Sequence, residues 1–162
     1  MKPSFVIFTA LVSSALSATA PVSADILSAV LPNVRSVLVG HTATAFATII
    51  NSGPTMVTDC GISLDRGQSA YFFYQTTNGA TNELIGIANT PVNIAAGQAQ
   101  SYLIAVTAEN PVSAVELQLN FHCSSGLRAA NQTGVNTLQF SASSTLVPDI
   151  IALAATLSND GI

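Results

Sequence analysis

Apolar and polar residues alternate without a slip from Val115 to Cys123. Val115, Leu117, Leu119, Phe121 and Cys123 fall on one side of an extended strand, and Glu116, Gln118, Asn120 and His122 on the other. A period of two over this length predicts a half-buried strand. A second alternating run, Val57 to Leu64, puts Thr58, Cys60, Ile62 and Leu64 on one side. Both cysteines of the chain are therefore expected to face inward.

The same reading applied along the chain predicts a series of short strands. Asp25 to Leu38, interrupted by Pro32, Asn33 and Arg35, reads as an edge strand broken by a turn. Thr42 to Ile50 is strand-forming and ends at the turn cluster Asn51-Ser52-Gly53-Pro54. Its buried face is ambiguous, because Ala43, Ala45, Ala47 and Ile49 oppose Thr44, Phe46, Thr48 and Ile50. Asp65-Arg66-Gly67 turns the chain into Ala70 to Thr76, and Asn78-Gly79 predicts a type I′ hairpin with Asn82 to Ala88 as its short return strand. Gln100 to Thr107 reads as a central strand, and Thr137 to Thr145 closes the series. Seven or eight short strands with regular turn signals, and no helical period, predict an all-β, immunoglobulin-like antiparallel β-sandwich; a barrel or jelly roll would give similar spacing.

The ends of the chain read differently. Lys2, an apolar run from Phe5 to Leu16 and then small residues have the layout of a secretory signal. Cleavage after Ala24 is preferred to cleavage after Ala20, which would leave Pro21 at the scissile bond. The apolar run is shorter than the roughly 20 residues of a membrane-spanning helix, so no stable span is expected once the leader is cut. The expected division is a signal peptide at 1–24, a sandwich domain at 25–147 and a tail at 148–162. In the tail, Asp149-Ile150 with Ala152 and Leu153 mirrors Asp25-Ile26 with Leu27 and Ala29, and Asn159-Asp160-Gly161 is a turn signal. The tail is either the start of a second domain or a last strand or short helix packed on the first.

Charged residues are only 7% of the chain, so Ser, Thr, Asn and Gln must solvate the surface, as in exported proteins. Four basic residues, one of them in the leader, against eight carboxylates leave nothing to grip a phosphate backbone, so nucleic acid is not an expected partner. Two cysteines in an exported chain should pair. A Cys60–Cys123 bridge would pin the strands inside a pair of facing sheets, and its loop of about 64 residues is worth roughly 4 kcal/mol in the chain-entropy model. A metal or redox site using Cys123 and His122 is disfavoured, because adjacent strand residues point to opposite faces.

No phosphate loop, H-E-x-x-H or G-x-S-x-G motif occurs, so no catalytic residue, metal site or cofactor is assigned. His41 and His122 read as solvated, and an enzyme would require a cleft that gathers carboxylates from distant strands. The run Tyr71, Phe72, Phe73, Tyr74, together with Tyr102, is the candidate ligand-binding set, since rings left exposed on a sandwich stack on sugars or fill a partner's groove. The alternative for these rings is core packing and cross-strand contact. Asn131-Gln132-Thr133 is a formal glycosylation triplet.

The stretches T-A-F-A-T-I-I-N-S-G, ending at Gly53, and A-A-G-Q-A-Q-S-Y-L-I-A-V-T resemble bacterial extracellular immunoglobulin-like domains of the cell-adhesion-related (CARDB-like) kind. The resemblance covers roughly residues 25 to 147, although the cysteine pair is not a fixed feature of that family. It implies a non-catalytic module of a larger secreted or surface protein, one that spaces or binds. The expected role is a structural or adhesive module of a bacterial envelope or secreted protein, located in the periplasm, on the cell surface or outside the cell. Its expected partners are other domains or envelope proteins, with glycans as the alternative. Two alternatives are a carbohydrate-binding module and a pilus-like subunit assembled by strand exchange.

Overall fold

In the computed structural model, residues 25–65 and 70–145 are described. The leader at 1–24, the turn residues Arg66-Gly67 and the tail at 148–162 lie outside them. The strands are β1 (Ile26–Leu31), β2 (Val34–Leu38), β3 (Thr42–Asn51), β4 (Val57–Leu64), β5 (Tyr71–Thr77), β6 (Val92–Ile94), β7 (Ala99–Thr107), β8 (Val112–Leu117), β9 (Leu119–His122) and β10 (Leu138–Ser143). One 3-10 turn, Ser124–Gly126, follows β9.

One sheet has the order β1-β3-β7-β5, antiparallel throughout. The other face is built from two ladders, β2-β10-β8 and β6-β4-β9, with β2 parallel to β10. Only Gln118 separates β8 from β9, and its carbonyl accepts the Asp65 N–H. The two pieces are one interrupted strand that pairs first with β10 and then with β4. A four-stranded sheet facing strands that join in this order has immunoglobulin-type connectivity, so the domain is an all-β sandwich of that class.

The predicted edge strand at Asp25–Leu38 is two strands on opposite sheets, because the chain crosses the sandwich at Pro32-Asn33. The ambiguity of β3 is also settled. Ala43, Ala45, Ala47 and Ile49 are buried, whereas Phe46 and Ile50 are exposed. Small inward residues fit here because the space is filled from elsewhere, by Tyr102 and Ile104 on β7 and by Leu117, Leu119, Phe121, Leu138 and Phe140 from the facing strands. The organising run behaves as its period predicts: Leu117, Leu119, Phe121 and Cys123 are buried and Val115 is half-buried.

The expected hairpin at Asn78-Gly79 does not form. Neither residue has positive φ; instead the Asn78 side-chain oxygen accepts the N–H groups of Ala80 and Thr81, and the Asn78 N–H donates to the Glu83 carbonyl. Satisfying backbone donors in this way widens the turn. Asn82 to Ala88 is not a strand either, since Asn82, Gly86 and Asn89 all adopt positive φ and only Thr77 and Leu84 form a bridge. The segment still follows the outer edge of β5: the Ile85 N–H donates to the Thr76 carbonyl, the Asn89 N–H donates to the Tyr74 carbonyl, and the Asn89 side chain accepts the Tyr74 N–H. An irregular run thus covers a sheet edge that would otherwise offer unpaired donors and acceptors.

Candidate functional site

Strand alternation divides the aromatic run of β5. Tyr71 and Phe73 point outward and are exposed, Phe72 is half-buried, and Tyr74 is buried. Tyr102, on the neighbouring β7, is fully buried and meets Tyr74 edge to face, with ring centroids 5.8 Å apart and planes at 72°. The five candidate rings therefore do not form one binding surface. Only Tyr71 and Phe73 present rings to solvent; Tyr74 and Tyr102 are core residues, and their geometry is the favoured one for an aromatic pair.

The two buried tyrosines pack against the disulfide region. The Tyr102 hydroxyl donates to the Cys60 carbonyl at 3.5 Å. A Cβ placed on Gly61 would come within 2.6 Å of the Tyr74 oxygen, so only glycine admits the ring there. Burial pushes the Tyr74 phenol above its ordinary value. The Tyr102 phenol is raised further, by burial first and then by the neighbouring Tyr74. Both hydroxyls stay protonated and neutral well past the pH at which an exposed tyrosine ionises.

Cys60 and Cys123 are bonded, with Cα atoms 4.0 Å apart, and both are buried as expected. The bridge does not pin one sheet to the other. Gly61 pairs with His122 in the β4–β9 ladder, so Cys60 and Cys123 are directly opposed neighbours within one sheet. Strand order, which alternation alone does not encode, decides this.

Beside exposed Tyr71 lies a cavity of about 270 Å³ lined by Ala70, Tyr71, Thr107, Glu109 and Asn110. It gathers an aromatic ring, a hydroxyl, a carboxylate and an amide around a small space. Three carboxylates elsewhere have local partners. Asp59 accepts the Ser124 hydroxyl at 2.6 Å, Glu116 accepts the Thr137 hydroxyl, and Glu83 accepts the Thr81 hydroxyl at 3.1 Å. Among the described residues no three His, Cys, Asp or Glu side chains come together as a metal site, and no helix is long and apolar enough to cross a membrane.

Two buried asparagines escaped the sequence reading. The Asn51 amide donates to the carbonyls of Thr55, Ile94 and Ala95 while its oxygen accepts the Gly53 N–H. It thereby ties the end of β3 to the end of β6 on the facing side. Asn136 donates to the Ser28 hydroxyl and the Ala130 carbonyl and accepts the Gln132 N–H, which holds the polar loop before β10 against β1. The turn signal at Asn51-Ser52-Gly53 was legible, but an amide that serves four backbone groups at once is visible only in three dimensions.

No protein-family model matches the chain, and no curated protein is significantly similar to it. Among solved structures, a family 123 glycoside hydrolase from Clostridium perfringens, studied for glycolipid glycan hydrolysis, is similar over 76% of this chain, at 8% identity and a TM-score of 0.46. The chain spans 28% of that protein's length. The CARDB domain of a Pyrococcus furiosus protein is similar over 75% of this chain and 97% of its own length, at 13% identity and a TM-score of 0.42.

Proposed function

We propose that the chain is a non-catalytic, exported structural or adhesive module of a bacterial envelope or secreted protein, with other domains or envelope proteins as its partners. The observation that carries this reading is the placement of the two ends of the sandwich. Asp25 enters beside the end of β3, where its carbonyl accepts the Ser52 N–H. Ser143 leaves beside Val39, whose N–H it accepts, next to the start of β3 at Thr42. The ten residues of β3 separate these points by about 30 Å at the usual strand rise. A chain that enters at one pole and leaves at the other transmits load along its strands and suits a spacer between neighbours.

The oxidised Cys60–Cys123 pair supports export, because such bonds persist outside the reducing cytoplasm. Expression with the native leader tests this point. The product recovered outside the cytoplasm should begin at Asp25 and carry no free thiol by mass spectrometry; a cytoplasmic product with both thiols free would refute export. Single-molecule stretching tests the mechanical role. The bridge, closing residues 63 apart, should withhold about 200 Å of extension, which reduction releases. Unfolding at negligible force would remove the spacer role.

A second reading, a carbohydrate-binding module, is favoured by the cavity beside Tyr71, where a ring to stack on a sugar lies close to Glu109, Asn110 and Thr107. Glycan-array binding that disappears in Tyr71→Ala would support it, and binding unaffected by that change would end it.

A further inference from the structure

The outer face of the β1-β3-β7-β5 sheet has a composition that the spacer role does not require. Leu31, Phe46 and Leu103 are register partners across β1, β3 and β7, and Phe73 on β5 sits diagonally beside Leu103, opposite Ala105. Leu27 and Ile50 form a second pair on the same face, and Tyr71 stands at its far edge. Six of these side chains are substantially open to solvent, from 38% at Ile50 to 70% at Leu31. With about 200 Å² for a complete side chain of this size, they leave on the order of 600 Å² of mainly apolar surface. None of the four strands contains a Lys, Arg, Asp or Glu.

We infer that this face is where two copies of the chain associate, sheet against sheet about a twofold axis. The area points to a large partner: it lies at the top of what a monomer usually exposes, and Thr44 and Thr48 between the large side chains bring it towards the roughly 800 Å² per partner of a stable interface. Charge points to a second copy. The chain is net acidic, at −4, and the carboxylates of Asp59 and Glu116 belong to the facing sheet. The strands of this face carry no charge and Glu109 stands only at its Tyr71 edge, so it is the face on which two copies meet with least repulsion, and it requires no complementary charge from its partner. Its texture suits self-packing, because Phe46 stands beside the small residues Thr44, which is exposed, and Thr48, which is half-buried, and these provide holes for the knobs of an identical face.

Sedimentation of the full, oxidised chain over a broad concentration series tests the inference. The wild type should show a dimer in equilibrium with monomer. Thr48→Lys puts a charge between Phe46 and Ile50 at the middle of the face and should weaken association by about 100-fold or more. The double change Phe46→Thr with Phe73→Thr keeps strand-forming residues and should also give monomer, with circular dichroism and the disulfide unchanged. Gln139→Lys, exposed on the other sheet, should leave the dimer intact. A wild type that is monomeric throughout, a dimer that survives Thr48→Lys, or one lost equally in Gln139→Lys would each overturn the inference.

Discussion

The two sides of this sandwich use the same local pattern to opposite ends. The β1-β3-β7-β5 sheet is regular, uninterrupted and free of charge, and it turns large apolar residues outward. The facing side consists of two ladders joined through the break at Gln118; it carries Arg35, Asp59, Glu116 and His122 within its strands and has the disulfide. Long continuous pairing, with no covalent cross-link, holds the first sheet together. The second, with short ladders and a broken strand, is closed by a covalent bond between adjacent strands. Continuity and cross-linking thus do the same job on different sides of one core.

The largest test of that contrast is removal of the bridge. Cys60→Ala with Cys123→Ala should cost about 4 kcal/mol in denaturant unfolding, from the freedom returned to the unfolded chain. Hydrogen exchange should show the lost protection first in β4 and β9 and last in β3 and β7. Uniform loss across both sheets would mean that the division is not energetic.

A smaller effect is expected where the two sides touch. Gly61→Ala forces a methyl group against the Tyr74 hydroxyl, which projects from the first sheet, and should destabilise by about 1–3 kcal/mol. Adding Tyr74→Phe removes the oxygen in the way and should recover part of that loss. If the double variant is no better than the single, the contact is not what excludes a side chain at Gly61.

Alkaline titration probes the same contact. In the unfolded chain Tyr74 and Tyr102 ionise near 10.0, whereas burial holds both above that value in the folded state. Above pH 10 the unfolded state therefore loses protons that the folded state keeps, so their contribution to stability is complete below pH 10 and lost as pH rises beyond it. Tyr102→Phe should flatten this decline, followed by phenolate absorbance and by denaturation at each pH; an unchanged slope would mean that another group causes the loss.

The smallest effect on folding is expected on the outer face of the first sheet. Phe46→Thr should change the stability of the monomer by about 0.5 kcal/mol or less, because an exposed ring is exchanged for a good strand former. A loss of several kcal/mol would show that the outer face is part of the core rather than a surface.

Alternation by itself determined most of the strands, the inward direction of Cys60, Cys123, Leu117, Leu119 and Phe121, and the division of Tyr71 to Tyr74 into two faces. All of these follow from a backbone geometry that repeats every two residues and needs no knowledge of neighbours. Which strands become neighbours was left to the tertiary structure. It put the disulfide within one sheet, sent β1 and β2 to opposite sides of Pro32-Asn33, buried the alanines of β3 in preference to Phe46 and Ile50, and replaced the expected hairpin after β5 with an irregular edge cover. These outcomes depend on pairings between residues far apart in the chain and on the volume supplied by the facing side. Local periodicity carries no information about either.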